Sequence, residues 1–443
     1  MRSQLTIKLN SQTIITILMG FMLIEANYWA LLPKVIHLSQ NIRIIFIAII
    51  IAIGFRLSQF KIKQARYQIF WLVYIGMILI RNQEFAHGEY LNSARIIVCI
   101  LALFLCVNNY NWICNIPKMV VGIGIWNAVA TIVFYLDNGL YREFISSTYK
   151  AFQSGTNNGT YGYRAALADH YSQNGMYISI VLVTLIAVFL CTNAVDLKKS
   201  KRKREMRSTV ILLMVISIAA ILLTGKRAPL LFGLATTIIV YYILNPKKIV
   251  SNTFKLMITV VVLLIVLSLL IEYIPQMSYT FERMQTVGTD SASMNRIIMW
   301  QYAISMIKEH PLFGIGWWGF RYESGIISVL DDALTGCHNI YLEILANCGI
   351  IGFVLLLVIL IGSLRSTIKN ILKLNETNDL LQYKYPLVFS LIIQIFLIMY
   401  GFVGNVIFDR TFYFYIVAVA VNNSFEYNKK KILNIQLMMK EGK

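Results

Sequence analysis

Long apolar runs separated by short polar connectors dominate this chain. Runs near 13–32, 41–57, 67–81, 91–107, 116–136, 175–193, 208–224, 228–244, 255–274, 338–362, 385–404 and 408–425 are each of a length that predicts one membrane crossing. Lipid offers no partner to an open backbone, so runs of this kind predict helices. A β-barrel would instead show short alternating segments. The expected fold is all-α: a polytopic membrane bundle of about twelve transmembrane helices, one integral domain over residues 1–443. The first run is long and no small-residue cleavage site follows it, so it is read as a retained span.

Two polar stretches stand apart from the connectors. Residues 137–174 and 275–337 are expected as external loops, the second large enough to cap a cavity. The first contains the turn-rich Ser154–Gly162 segment, with Asn158-Gly159-Thr160 matching a glycosylation sequon. Within the second, Ser293 to His310 reads as an amphipathic helix stopped by Pro311. Ile297, Trp300, Ile304 and Ile307 form its apolar stripe, expected to lie on the outer membrane surface. Trp317-Trp318 reads as an interfacial aromatic anchor.

Composition agrees with a membrane protein: 58% of the 443 residues are hydrophobic, 14% are charged, and mean hydropathy is +0.65. The net charge of +19 would suit a nucleic-acid partner if it were spread over a soluble surface. Its densest cluster, Lys198-Lys199-Ser200-Lys201-Arg202-Lys203-Arg204, lies instead between two spans, as in a cytoplasmic loop. With both termini cytoplasmic, about two thirds of the Lys and Arg fall inside. No nucleic acid is expected. Cys99, Cys106, Cys114, Cys191, Cys337 and Cys348 form no CxxC pair. Cys337 and Cys348 stand about 16 Å apart along a helix, too far for a disulfide. No metal-ligand spacing is found.

Chemistry concentrates where the large loop meets the next span, at Cys337-His338-Asn339-Ile340-Tyr341-Leu342-Glu343. A histidine at a helix start is by itself a cap or an interfacial residue; the long polar loop before it is what favours a proton-transfer role. Helical spacing puts His338, Tyr341, Leu342 and Leu345 on one face, and Asn339, Glu343 and Asn347 on a stripe expected to face protein. Ala346, Gly349 and Gly352 would let another helix approach. Several cations survive on the outer side: Arg164, Lys226, Arg227, Arg296, Arg321 and Arg410. Singly each reads as a snorkelling residue; together they suggest a cationic pocket, since guanidinium forks match phosphate. Thr224-Gly225-Lys226-Arg227-Ala228-Pro229 is a tight turn that places Arg227 near the membrane, and no P-loop sequence is present.

The chain resembles the O-antigen ligase and Wzy-type polysaccharide polymerase superfamily of membrane glycosyltransferases. The likeness is carried by Thr224-Gly225-Lys226-Arg227-Ala228, by Asn295-Arg296 with Trp300 and His310-Pro311-Leu312-Phe313-Gly314-Ile315-Gly316, and by His338-Asn339 with Leu342. Tyr163-Arg164 with Asp169-His170 and Asn174 is similar more loosely. The family often has Glu where Asn347 stands, so no acid role is assigned there. The resemblance implies a glycan donor on undecaprenyl pyrophosphate, a bacterial inner-membrane location, and no metal, nucleotide sugar or other cofactor. It implies membrane lipid, a chain-length regulator and a flippase as partners. In that reading His338 is the general base and Arg164, Arg227 and Arg296 hold pyrophosphate. Lys226, Arg321, Glu343, Asp169 and His170 support them. Polymerisation of lipid-linked repeats is the expected reaction. A ligase passing glycan to another acceptor, and a flippase or other transporter, are the alternatives.

Overall fold

The computed structural model describes residues 11–29, 31–32, 39–57, 67–107, 110–141, 143, 162–168, 170–194, 201–245, 291–327, 334–375 and 381–441. Among them the chain is helical, with one isolated bridge, Ile327 to Leu334, and no strand. The long helices are α1 (Ser11–Tyr28), α2 (Gln40–Leu57), α3 (Gln68–Leu79), α5 (Leu91–Cys106), α6 (Ile116–Leu136), α8 (Tyr171–Ala194), α9 (Lys201–Thr224), α10 (Arg227–Leu244), α11 (Ser291–Glu309), α13 (Ile340–Asn375), α14 (Leu381–Tyr400) and α15 (Phe412–Glu441). Short helices α4 (Gln83–Ala86), α7 (Asn138–Tyr141) and α12 (Gly319–Ser324) lie in the connections. Among the described residues seven helices are long and apolar enough to cross a membrane, so the protein is a polytopic helical bundle. The span expected at 255–274, the Ser154–Gly162 segment with its sequon, save its last residue Gly162, and Asp169 lie outside the described residues.

The bundle has a centre and a rim. Inside α8 and α14, 78% and 72% of the spanning window is buried; in α2 and α10 it is 22%. The first pair is therefore core, and the second turns most of its apolar surface outward, as lipid-facing helices do. Buried polar groups tie the core helices together: Gln394 Nε2 donates to Thr367 Oγ1 at 2.8 Å, and Ser390 Oγ donates to Ala418 O at 2.6 Å. Where no water competes, such bonds fix one helix against another.

Helix α13 departs from the single continuous span expected from its sequence. It is broken at Gly349, whose φ of 63° and ψ of −169° belong to a region open essentially to glycine. The backbone groups freed by the break are met by the 310–316 loop. Ile315 N donates to Ala346 O at 2.9 Å and Gly316 N to Asn347 O at 2.8 Å. From below the break, Ile350 N donates to Pro311 O at 2.9 Å. A Cβ on Gly349 would strike the Leu312 carbonyl, and one on Gly314 would strike the Asn347 backbone. The glycines therefore admit a loop backbone, not a neighbouring helix; of the small residues named above, Gly352 does face another helix, at Met77 of α3.

Three further expectations are corrected. Helix α11 buries Met299, Ala303 and Met306 against Ile315, Phe320, Cys337 and Ala346; of the expected stripe, Trp300 and Ile307 pack against this cluster, while Ile297 and Ile304 are exposed. Its inward face is thus rotated from the one read off the sequence, because packing on the head of α13 decides it. Trp317 and Trp318 are 1% and 7% exposed, packed on Phe408 and, for Trp317, Tyr74. They are core residues, not interfacial anchors. The last span opens at Phe412, so Asp409 and Arg410 sit in the turn before it.

Candidate functional site

His338 stands just outside α13, not on its face. Its φ is 55°, a left-handed conformation uncommon for a side chain of this size. Neighbours hold the backbone there. Trp300 Nε1 donates to Cys337 O at 3.0 Å, and Cys337 N donates to Glu343 Oε2 at 3.2 Å. Asn339 caps the helix: its Oδ1 accepts from Tyr341 N and Leu342 N at 3.0 and 3.2 Å. The helix cap, α11 and a buried carboxylate thus converge on the residues flanking the imidazole. Over-determination of this kind is what lets an unfavourable backbone persist at a working site.

Glu343 is fully buried. Its second oxygen pairs with Arg321 Nε at 3.1 Å, and the Arg321 guanidinium lies over the Trp318 ring at 4.2 Å. Gly336 passes so close to this pair that a Cβ there would meet Glu343, Arg321 and Asn405. Of the Asn339/Glu343/Asn347 stripe, Glu343 and Asn347 are buried in protein, while Asn339 is half-buried at the helix cap. Asn347 accepts from Phe320 N at 2.8 Å, which pins α12 and so Arg321.

The charges around His338 come from distant parts of the chain. Burial first, then Arg296, Lys226 and Arg321, push its pKa down to about 3. Arg296 arrives on α11, Lys226 on the turn between α9 and α10, and Arg321 on α12. His170, at the head of α8, is also pushed down to about 3, by burial and then by Lys226 and His338. Its Nδ1 accepts from Ser172 N at 3.1 Å, so it caps α8 as a neutral ring. Lys226 sits over the Tyr171 ring at 4.0 Å. These five side chains form one electrostatic group. The resting imidazole is consequently a far weaker base than a free histidine.

Arg227 and Arg164 are placed differently. Arg227 opens α10 directly after Lys226 and is half-buried. Arg164 ends a short turn, Gly162–Arg164, and its carbonyl accepts from Asn174 Nδ2 at 2.8 Å. Asn174 also donates to Thr131 of α6 at 2.8 Å. The Arg164 backbone is thereby tied to the helix headed by His170 and Tyr171.

A second charged nest adjoins the first. Glu25 of α1 pairs with Arg43 at 3.3 Å and with Arg410 at 3.2 Å. Arg410 lies over the Trp29 ring at 3.6 Å, and Arg95 donates to Phe408 O at 2.9 Å. Between the nests stands Asp409. Burial raises its pKa, while Arg321, Arg95 and Arg410 pull the other way. Sequence reasoning missed Glu25, Arg43, Arg95 and Asp409 as site neighbours. A signal was available: charged residues inside apolar runs need partners, and these four stand in or beside four different runs.

The family model described as O-antigen ligase matches residues 212–357. The match covers about a third of the chain, from within α9 to within α13, and it includes Lys226, Arg227, Arg296, Arg321, His338, Glu343 and the broken-helix junction. Arg164, His170 and Asp409 lie outside it. No curated protein matches the chain.

Proposed function

From the premise that residues 212–357 carry the O-antigen ligase pattern within a multi-pass membrane protein, we propose a glycosyltransferase that takes its glycan from a polyprenyl-pyrophosphate carrier. The acceptor hydroxyl attacks the anomeric carbon, the carbon–oxygen bond to pyrophosphate breaks, and the hydroxyl proton passes to His338. Lys226, Arg296 and Arg321 supply positive charge to the departing pyrophosphate. Arg227 and Arg164 complete the anion-binding rim.

The supporting observation is the coupling of the imidazole to the cations. Burial first, and then the field of Arg296, Lys226 and the Glu343-paired Arg321, hold His338 neutral. A bound diphosphate neutralises that field, and the His338 pKa rises toward the range in which a base works. The donor's charge thus activates the base that its own reaction needs. Pyrophosphate is a good leaving group, so no separate acid enters the scheme.

We read the reaction as polymerisation of lipid-linked repeats on the outer leaflet of a bacterial inner membrane, with a chain-length regulator and a flippase as partners. The family description favours a second reading, transfer of finished glycan to a different acceptor. Purified protein supplied with lipid-linked repeats as sole substrate separates the two: chain growth without nucleotide sugar is expected, and turnover only with a second acceptor would establish the ligase. Transport of repeats without bond formation would exclude both. His338→Ala should lower the rate by about 10²–10⁴. Normal chain growth in that variant would remove His338 from the scheme.

A further inference from the structure

The far end of α13 presents a different kind of surface. Arg365, Lys369 and Lys373 recur every fourth residue and stack in one row. All three are exposed, and with Ile368 and Leu372 they line a shallow groove of about 420 Å³. Like charges at this spacing repel. Among the described residues none of the three forms an ion pair. A fourth cation is added from α15: Lys429 Nζ donates to Asn370 Oδ1 at 2.9 Å, and its pKa is lowered, by burial and then by Lys373 and Lys369. The nearby Glu426 accepts from Ser366 Oγ at 2.6 Å, on the inner side of α13. Lys430 and Lys431 extend the cationic surface and are exposed.

The groove continues an apolar strip. Ile350, Ile351, Val354 and Ile361 are 43%, 46%, 50% and 43% exposed on the same side of α13. Nineteen residues separate Ile350 from Lys369, about 28 Å of helix, close to the thickness of a bilayer's hydrocarbon core. A strip of this length suits acyl chains, and the row of cations, centred on Lys369, falls at the depth of headgroups.

We propose that this groove binds the phosphate headgroup of an anionic phospholipid in the leaflet opposite His338, with its acyl chains along the Val354–Ile361 face. Charge complementarity selects the headgroup, and the apolar strip selects a lipid over a free anion. Each cation near a membrane surface adds to the attraction for anionic lipid.

The test uses the full chain in a neutral detergent, titrated with phosphatidylglycerol, phosphatidylcholine or inorganic phosphate while thermal unfolding is followed. Phosphatidylglycerol should raise the midpoint, and the other two should not. The triple variant Arg365→Gln, Lys369→Gln, Lys373→Gln should weaken the phosphatidylglycerol response about tenfold or more. The charge-preserving set Arg365→Lys, Lys369→Arg, Lys373→Arg should keep it, and Lys369→Gln alone serves where the triple variant does not fold. An equal response in wild type and the Gln variants, or an equal response to both lipids, overturns the proposal. A response reproduced by inorganic phosphate assigns the groove to a free anion and overturns the lipid assignment.

Discussion

The two ends of α13 both gather positive charge, and they do so by opposite means. At the His338 end the cations come from separate connections and are set against rings and carboxylates: Arg321 on Glu343 and Trp318, Lys226 on Tyr171. At the other end Arg365, Lys369 and Lys373 belong to one regular helix and project outward. A charge buried and fixed costs desolvation and acts strongly over a short range; an exposed charge costs little and acts weakly. The first arrangement suits one ligand in one pose. The second suits a headgroup that exchanges with the surrounding lipid. The break at Gly349 divides the two: above it a short helical segment from Ile340 is clasped by the 310–316 loop, and below it the helix runs unbroken to Asn375.

The sharpest way to collapse the contrast is to remove that break. Gly349→Ala places a side chain in a conformation that only glycine adopts readily, against the Leu312 carbonyl. A loss of about 3 kcal/mol or more is expected from strain and from parting the loop from the helix ends. Little folded protein should survive detergent extraction, as read by size exclusion. Gly76→Ala is the control: a Cβ there meets nothing within 4 Å, and no loss is expected. Equal yields for the two variants would show that the junction is not what holds the His338 end together.

A smaller effect probes the buried charges themselves. Glu343→Gln leaves the Arg321 guanidinium buried without its counter-ion, and weakens the hold on Cys337 N. A stability loss of about 3 kcal/mol is expected, with glycosyl transfer falling in parallel. The Gln variants of Arg365, Lys369 and Lys373 should leave transfer unchanged, because the groove lies about 24 to 36 Å of helix below the break. If those variants reduce transfer as much as Glu343→Gln does, the two ends are not independent.

Much of this was legible before any coordinates. Apolar run length predicted the helices, and Arg296, Lys226 and Arg321, named from sequence with Arg164 and Arg227, are cations whose charge reaches His338. What stayed hidden depended on tertiary contact. Gly349 sits in an apolar run that reads as continuous helix, and only the docking of the Pro311–Gly316 backbone shows why glycine is needed there. Trp317 and Trp318 look like interfacial aromatics until Phe408 is seen packed on both. Helix α11 is apolar on more than one side, so periodicity could not choose the face that meets α13. Glu25, Arg43 and Arg410 are far apart in sequence, and their mutual pairing is invisible in any one of their segments.

The smallest expected effect is on acid stability. His170 and His338 are both held near 3 in the folded chain, against about 6.5 for an unperturbed histidine. Between those values the unfolded chain binds more protons at these rings than the folded one, so their contribution is complete above about 6.5 and is lost progressively as the pH falls through that window. Asp409 works in the other direction, since burial raises its pKa and favours the protonated folded form. The net slope therefore mixes opposing groups, and a single variant isolates one of them. His170→Asn keeps a side chain able to cap α8 while removing the titration. Unfolding midpoints at pH 7 and pH 5 should differ less in that variant than in wild type. The groove variants at the far end, which carry no such group, should track wild type at both pH values. An unchanged difference in His170→Asn would mean that the ring is not held neutral by its surroundings, and the case for a strong cationic field around His338 would weaken with it.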